Sequence, residues 1–407
     1  MSARLEIIDK TDGQPDVAAF MIATATQNMF IINNKVCDGM IGLAFQDSFS
    51  ALNDEIRQQT NNANNDDGAN AIFNIFAQNP DVPTFFDMQL SRANDPGDTS
   101  SGSFIVGSHV SGFENVSSQP HLPVINPGRW AVPLDQMSVN GKTFQFNQSV
   151  VSGVPSGKIL VDIDSGFSFP PIPSTAVDFI YSSFPGASLI AKSGTWIVPC
   201  NGTTDLKFTF GGVDFPMHYL DLTQINTATL TNKGQKVNVT YCSNTFTYGT
   251  PSASDGFDAN LGDPFMRNAY VSFNYNGLTT SGDGSFIQML PTTNLDAALP
   301  DFQSSRSKTL AGMPPELSPS DFVALSLGLE IDDSIPTSST SSDASPTGTT
   351  SSAAGSSATT SASSAASTPT DSGSGGKSKN ASSSVHGSII SLLVPLFAAT
   401  FTVTILS

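Results

Sequence analysis

The sequence predicts an all-β fold, and two observations carry that expectation. Short runs of alternating apolar and polar residues, such as LKFTFGGVDF at 206–215 and YVSFNY at 270–275, recur between turns rich in Gly, Asn, Asp and Pro. A period of two is what a half-buried strand requires. Helical spacing is confined to Phe49–Gln58, where Phe49, Leu52 and Ile56 share a face, and to Ser174–Phe184, which opens on Ser174 after Pro173. Many short strands with isolated helices point to a barrel or sandwich class.

Composition narrows the function. A chain of 407 residues can hold two domains of ordinary size. Its 17 basic residues against 35 acidic ones give a net charge of -18, which argues against nucleic acid, because phosphate binding needs clustered Lys and Arg. An acidic surface suits a protein that stays soluble, or works, in acidic surroundings. The cysteines, Cys37, Cys200 and Cys242, match no CxxC or zinc pattern, and His109, His121, His218 and His386 show no ligand spacing. No metal is expected. The string SGGKS at 374–378 mimics the end of a P-loop, but Asp371 stands where its first glycine belongs and no strand precedes it. No Ser lies in a G-x-S-x-G elbow, which disfavours a nucleophilic hydrolase.

The C-terminal part points to a compartment. From about Thr337 to Ser374 the chain is almost entirely Ser, Thr, Ala, Gly and Pro. It cannot bury enough apolar surface to offset ordering entropy, and reads as a disordered, O-glycosylated stalk. A polar spacer follows, then an uncharged, largely apolar run, Ile389–Leu406. That is the pattern of a GPI-attachment signal, with Asn380 and Ser374 as candidate attachment sites. The alternative, a single transmembrane anchor, is disfavoured because no charged residue follows the tail. Sequons at Asn115, Asn147, Asn201, Asn238 and Asn380 agree with passage through the secretory pathway to the plasma membrane or cell wall. The N-terminus shows no basic segment leading into an apolar one, so the expectation is that the true N-terminal segment is absent from this chain.

Two motifs give a family. LGDPFMRNAYVSF at 261–273, together with Asp164-Ser165-Gly166 in ILVDIDSGFSFPPIP, resembles the C-terminal lobe of pepsin-like aspartic proteases, here of a fungal, GPI-anchored type. GRWAVPLDQMSVNGK around Trp130 resembles the opening of that lobe. GTWIVPCN with Cys200, the hairpin-like FTFGGVDFPM and Cys242 follow in family order, and Asn260-Leu261-Gly262 resembles the thread that crosses behind the catalytic turn. In the first hundred residues CDGMIGLAF (37–45), PTFFDMQLSR (83–92) and SGSFIVGS (101–108) resemble parts of the N-terminal lobe. The resemblance covers roughly residues 16–293.

The resemblance implies a bilobal acid-protease fold with an incomplete N-terminal lobe. It divides the chain into a partial N-terminal lobe (1–125), a C-terminal lobe (126–293), an acidic Pro-containing tail (294–336), the Ser/Thr-rich stalk with its spacer (337–387) and the hydrophobic tail (388–407). It implies a Cys200–Cys242 disulfide, a polypeptide substrate, acid pH and no cofactor. Asp164 would be the C-lobe catalytic aspartate, Ser165 would cross-link two catalytic turns, and Gly166 would permit the loop.

The chemistry needs two aspartates that share one proton: the ionised one takes a proton from water, and the protonated one polarises the peptide carbonyl. Residues 1–293 hold one D-[ST]-G; the other, Asp371-Ser372-Gly373, lies in the Ser/Thr-rich stalk with no apolar strand before it. Asp12-Gly13 has neither the hydroxyl residue nor a preceding apolar strand. The chain as written is therefore expected to be inactive alone. Phe167 stands where the family has Thr or Ser, Asp162 where an apolar residue is usual, and Asn260 where an aliphatic one is. An alternative reading follows, a non-catalytic surface protein on a decayed protease scaffold. A homodimer donating Asp164 from each copy would set the partial N-lobe where the partner must dock, so a monomer is expected. Cys37 is either a buried Cys replacing Phe in a core or a disulfide partner for the absent segment.

Overall fold

The computed structural model describes residues 2–8, 15–21, 42–45, 51–63, 69–90, 92, 102–125, 128–277 and 284–332. Cys37, the stalk, the attachment candidates Asn380 and Ser374 and the apolar tail lie outside the described residues.

The chain opens on a hairpin of β1 (Ser2–Ile8) and β2 (Pro15–Met21). Helices α1 (Ala51–Thr60) and α2 (Ala71–Gln78) follow. Strand β3 (Phe85–Gln89) pairs with β4 (Ser103–Val106), and the short β5 (Leu122–Pro123) comes next. From Ala131 the strands come close together: β6 (Ala131–Leu134), β7 (Gln136–Val139), β8 (Lys142–Phe144), β9 (Ile159–Asp162) and β10 (Pro171–Pro173). After helix α3 (Ser174–Tyr181) run β11 (Ser188–Ile190), β12 (Thr195–Val198), β13 (Leu206–Phe210) and β14 (Val213–Pro216). The long hairpin β15 (Thr223–Asn232) and β16 (Gln235–Asn244) is followed by β17 (Thr247–Gly249) and β18 (Ala259–Asn260). Then come the one-turn helix α4 (Gly262–Met266), β19 (Ala269–Asn274), β20 (Phe286–Pro291), α5 (Leu295–Leu310) and α6 (Pro319–Ser326). The fold is all-β in character, as the patterning predicts.

Local chemistry explains the hairpins. Asn140-Gly141 between β7 and β8, Gly211-Gly212 between β13 and β14, and Lys233-Gly234 between β15 and β16 all have positive φ at both positions. Those are the two-residue turns whose twist matches that of paired strands. In β13 Leu206, Phe208 and Phe210 are buried while Lys207 and Thr209 are half-exposed, the alternation of a sheet with one covered face. Strand β19 is buried along nearly all its length because it is the centre of a five-stranded sheet ordered β4-β3-β19-β20-β5.

That sheet joins the first part of the chain to the last. The core is correspondingly continuous: Phe45, Ile72 and Phe76 belong to the same apolar cluster as Trp130, Val161, Phe265 and Phe273. Trp130 is its hub. Its ring lies 4.5 Å from Phe45, 4.9 Å from Tyr275 and 5.2 Å from Phe273, centroid to centroid, and its indole N–H donates to the Leu43 carbonyl at 2.9 Å. A buried indole thus gains both a packing site and a hydrogen-bond partner.

Helix content is a correction. The two predicted helices appear as Ala51–Thr60 and Ser174–Tyr181, but α2, α5 and α6 were not expected. In α2 the buried Ile72, Phe73 and Phe76 supply the helical spacing. The segment read above as an acidic Pro-containing tail (294–336) carries α5 and α6, and α6 packs on β11, β12 and β15. Asn294 caps α5 by accepting from the Asp296 and Ala297 N–H groups, and Ser318 caps α6 by accepting from Asp321. Phe322 of α6 stacks on Tyr241 of β16 at 4.1 Å, and Leu325, Ile331, Ile197 and Val239 complete a second apolar cluster.

This segment also grips the Cys200–Cys242 disulfide. Arg306, 1% exposed, donates to the Cys200 carbonyl at 2.8 Å and to Thr223 Oγ1 at 3.2 Å, with Cys242 Sγ at 3.3 Å. Glu316 Oε1 accepts the Cys200 N–H at 2.7 Å. Backbone bonds from Thr240 N to Pro315 O and from Leu317 N to Thr240 O tie the segment to the β16 edge.

Candidate active site

The DSG turn sits at the end of β9, in a three-stranded sheet ordered β18-β9-β6. β6 is antiparallel to β9, and β18 runs parallel to it, with Asn260 opposite Asp162. The backbone then crosses: the Leu261 N–H donates to the Asp162 carbonyl at 3.0 Å and the Asp263 N–H to the Phe167 carbonyl at 2.9 Å. The expected thread behind the turn is therefore present. Gly262 makes the crossing possible, because a Cβ there would lie 1.9 Å from the Phe167 carbonyl oxygen.

Asp164 is half-buried at the tip. Its Oδ1 accepts the Gly166 N–H at 2.8 Å. Gly166 does not occupy the left-handed region; its requirement is room, since a Cβ would stand 3.0 Å from Asp164 Oδ1. Ser165 is half-buried, and its hydroxyl has no hydrogen-bond partner among the described residues. Phe167, half-buried, brings no hydroxyl to the carboxylate.

Two further carboxyls flank the turn. Asp162 is 2% exposed and meets Arg129 Nη1 at 3.4 Å. Burial first, and the nearby Asp164 second, push its carboxyl up to about 7 against the pull of Arg129. Asp263, at the start of α4, is equally buried. Its Oδ2 accepts from the Ser168 hydroxyl at 3.0 Å, while its Oδ1 has no partner among the described residues. Burial raises it to about 6, opposed by Arg267 and Ser168. Asn260, fully buried, accepts the Gly262 N–H on Oδ1 at 2.8 Å, and its Nδ2 is unpartnered among the described residues.

The structure brings Asp164, Ser165, Gly166, Phe167, Asp162 and Asn260 into one place. Ser168, Asp263 and Arg129 join them without having been singled out from the sequence. The signal for the first two was available in the DSGFS and LGD strings. Their pairing spans 95 residues, so only the strand crossing reveals it. Cys200 and Cys242 are joined elsewhere in the lobe. Asn115, Asn147, Asn201 and Asn238 are all exposed, and Asn238 Oδ1 accepts from Thr229 at 2.8 Å. Among the described residues no group of His, Cys, Asp and Glu is arranged to hold a metal, and no helix is long and apolar enough to cross a membrane.

The arrangement can present one half-exposed carboxylate, fixed by a backbone N–H, at the tip of a rigid crossing. A family model described as "Eukaryotic aspartyl protease" matches residues 13–281, more than half of the chain. The chain is 26% identical over 189 residues, 45% of its length and 34% of the relative's, to "Aspartic-type endopeptidase ctsD" of Aspergillus fumigatus. It is 25% identical over 151 residues, 36% of its length and 28% of the relative's, to "Major aspartyl peptidase 1" of Cryptococcus neoformans var. grubii. The chain spans about a third or less of the length of these relatives.

Proposed function

Because the chain belongs to the eukaryotic aspartyl protease family, we propose that Asp164 acts as one carboxylate of an acid dyad in endopeptidase chemistry on extended polypeptides. The observation that carries this reading is the crossing of Asn260–Asp263 behind Asp164–Phe167, closed by Gly262, which fixes one carboxylate at a strand end. In the dyad the ionised partner takes a proton from water as the oxygen attacks the peptide carbonyl. The protonated partner donates to the carbonyl oxygen, and the leaving amine is protonated as the C–N bond breaks. Ser165, with an uncommitted hydroxyl, would bond across to the opposing turn.

The one D-[ST]-G that follows an apolar strand, Asp164-Ser165-Gly166, supplies half of that dyad; the other, at 371–373, lies in the Ser/Thr-rich stalk, so the chain alone is proposed to be inactive. The test is hydrolysis of a denatured protein at pH 4 by two forms, the chain alone and the chain extended at its N-terminus by a D-T-G strand and flap segment from a fungal relative. Cleavage by the extended form alone, blocked by a statine-type inhibitor, is expected. Silence from both forms overturns the reading.

We place the protein at the cell surface of a fungus, as a glycosylated monomer held by a GPI anchor. Support comes from the Ser/Thr-rich stalk, the apolar C-terminal run and the exposure of four sequons. A second reading, a displayed binding protein on a decayed scaffold, is favoured by Phe167, which leaves the Asp164 carboxylate without a hydroxyl partner. Inactivity of the extended form even with Phe167→Thr would select it.

A further inference from the structure

The hairpin of β15 and β16 has two long edges, and only one of them is covered. The Thr240 N–H donates to the Pro315 carbonyl, and the Thr240 carbonyl accepts from the Leu317 N–H. Further along, β12 pairs with β16 at Ser243 and Cys242. Because Thr240 points both backbone groups away from β15, its register partner Thr227 points its own away from β16. Thr229 and Thr231 follow with the same orientation. Strand β15 is the last in its sheet, ordered β11-β12-β16-β15. Among the described residues nothing bonds to these backbones on the open side.

This edge lacks the features that keep strand edges apart. It runs for 10 residues, TQINTATLTN, without a charge, a proline or a break in register. The opposite edge strand of the sheet, β11, has only 3 residues. Ala228 and Leu230 face the cluster beneath α6, while Thr227, Thr229 and Thr231 are exposed on the other face. Asn238, the sequon residue opposite Thr229, is exposed on that same face and accepts from the Thr229 hydroxyl at 2.8 Å.

We propose that the β15 edge is a pairing surface for a second copy of this chain, and that a glycan on Asn238 keeps it unpaired. The proposal rests on the reading of the protein as a glycosylated monomer. A second copy fits because the outward groups of Thr227, Thr229 and Thr231 are symmetric about Thr229. Antiparallel pairing across a two-fold axis sets Thr229 against Thr229 and Thr227 against Thr231, and each of their outward N–H groups meets a carbonyl. Two chains of net charge -18 repel over most of their surface, whereas this strand brings no charge to the contact. The partner's strand would lie about 10 Å from β16, two strand spacings. Its threonines would share the face from which the Asn238 glycan rises, and the bulk of the first sugars occupies that space. Thr240, the hydroxyl residue of the sequon, is buried and donates to the Pro314 carbonyl at 2.7 Å. Transfer to Asn238 therefore precedes the closing of residues 314–317 over β16.

The test is the mass, by light scattering in mild detergent, of the full chain made with a secretion leader in a fungal host. Mass spectrometry of the Asn238 peptide reports its glycan. The wild type is expected to carry the glycan and be a monomer, and Asn238→Gln to double in mass. Asn201→Gln, which removes a different sequon, is expected to stay monomeric. Thr229→Pro added to Asn238→Gln takes away an outward donor, leaves the pairing with β16 intact and should restore the monomer. Should that variant fail to fold, Thr227→Lys puts a charge on the same edge. A dimer that survives the edge substitutions overturns the proposal, as does an Asn201→Gln that associates equally, the mark of a general solubilising effect of glycans. A wild type that is glycosylated at Asn238 and dimeric, or bare there and monomeric, also overturns it. A monomeric Asn238→Gln beside a glycosylated, monomeric wild type sinks the proposal and leaves the glycosylated-monomer reading standing. A wild type bare at Asn238 and already dimeric through β15 would do the reverse.

Discussion

The grip on the Cys200–Cys242 disulfide, with buried Arg306 and exposed Glu316, and the crossing behind Asp164, with buried Asp162 and Asp263, hold charged side chains in opposite ways. At the disulfide, Arg306 and Glu316 approach Cys200 from two sides, on its carbonyl and its N–H, and every contact is of hydrogen-bond length. At the crossing, Asn260 Nδ2, Asp263 Oδ1 and Arg267 Nε are unpartnered among the described residues, and Asp162 has one distant cation. A buried polar group without a partner costs about 1–3 kcal/mol. The first region is built for stability. The second retains several such groups in one place, as sites with a function commonly do.

The largest way to break this contrast is pH. Asp162 and Asp263 both have folded-state values raised above 3.8, to about 7 and about 6, so between those limits the folded chain binds more protons than the unfolded one. Stability must then fall as pH rises from about 4 to about 7. For Asp162 alone the loss is on the order of 4 kcal/mol. Denaturant unfolding at pH 4 and pH 8 should show it, and Asp162→Asn should flatten the difference; an unchanged slope in the variant contradicts the assignment.

A smaller effect is expected at the other region. Arg306→Leu leaves the buried Cys200 carbonyl without its donor and should reduce stability by about 3 kcal/mol at either pH. A pH-dependent loss there would erase the distinction between the regions. Ser168→Ala removes the hydroxyl that Asp263 accepts and should lower the unfolding free energy by about 1 kcal/mol at pH 8, where Asp263 is charged, and by less at pH 4. The smallest change sharpens the comparison from the other side. Asn260→Leu removes the unpartnered Asn260 Nδ2 from the core but also the acceptor of the Gly262 N–H, so the two effects offset and stability at pH 4 should change by less than about 1 kcal/mol; a larger loss in denaturant unfolding would show that the Gly262 bond outweighs the orphaned donor.

Legibility followed the range of each interaction. The DSG turn, the LGDPFM thread and the two-residue hairpins are local, and their residues carry them alone. The Cys200–Cys242 pair was implied by family order and is joined in the structure. Helix α5 was missed because Pro300 interrupts its pattern and few of its residues are buried. Its start, Asn294 before Leu295, and that of α6, Ser318 before Pro319 with Asp321 following, were legible as caps. The pairing of Ser168 with Asp263 and of Arg129 with Asp162 depends on strand crossings across 95 and 33 residues, which no local pattern encodes. Gly166 stands in the turn, as its place after Asp164-Ser165 suggests, but without a left-handed φ; what could not be read locally is that a Cβ there would crowd the Asp164 carboxyl.

The most direct measurement is the effect of Asp164→Asn on acid proteolysis by the N-terminally extended chain, with folding checked by denaturant unfolding. A folded variant is expected whose cleavage rate at pH 4 falls by at least about 1,000-fold, the order seen when a group that moves the proton is removed. A folded variant that still cleaves at a comparable rate would contradict the assignment of Asp164 to the dyad.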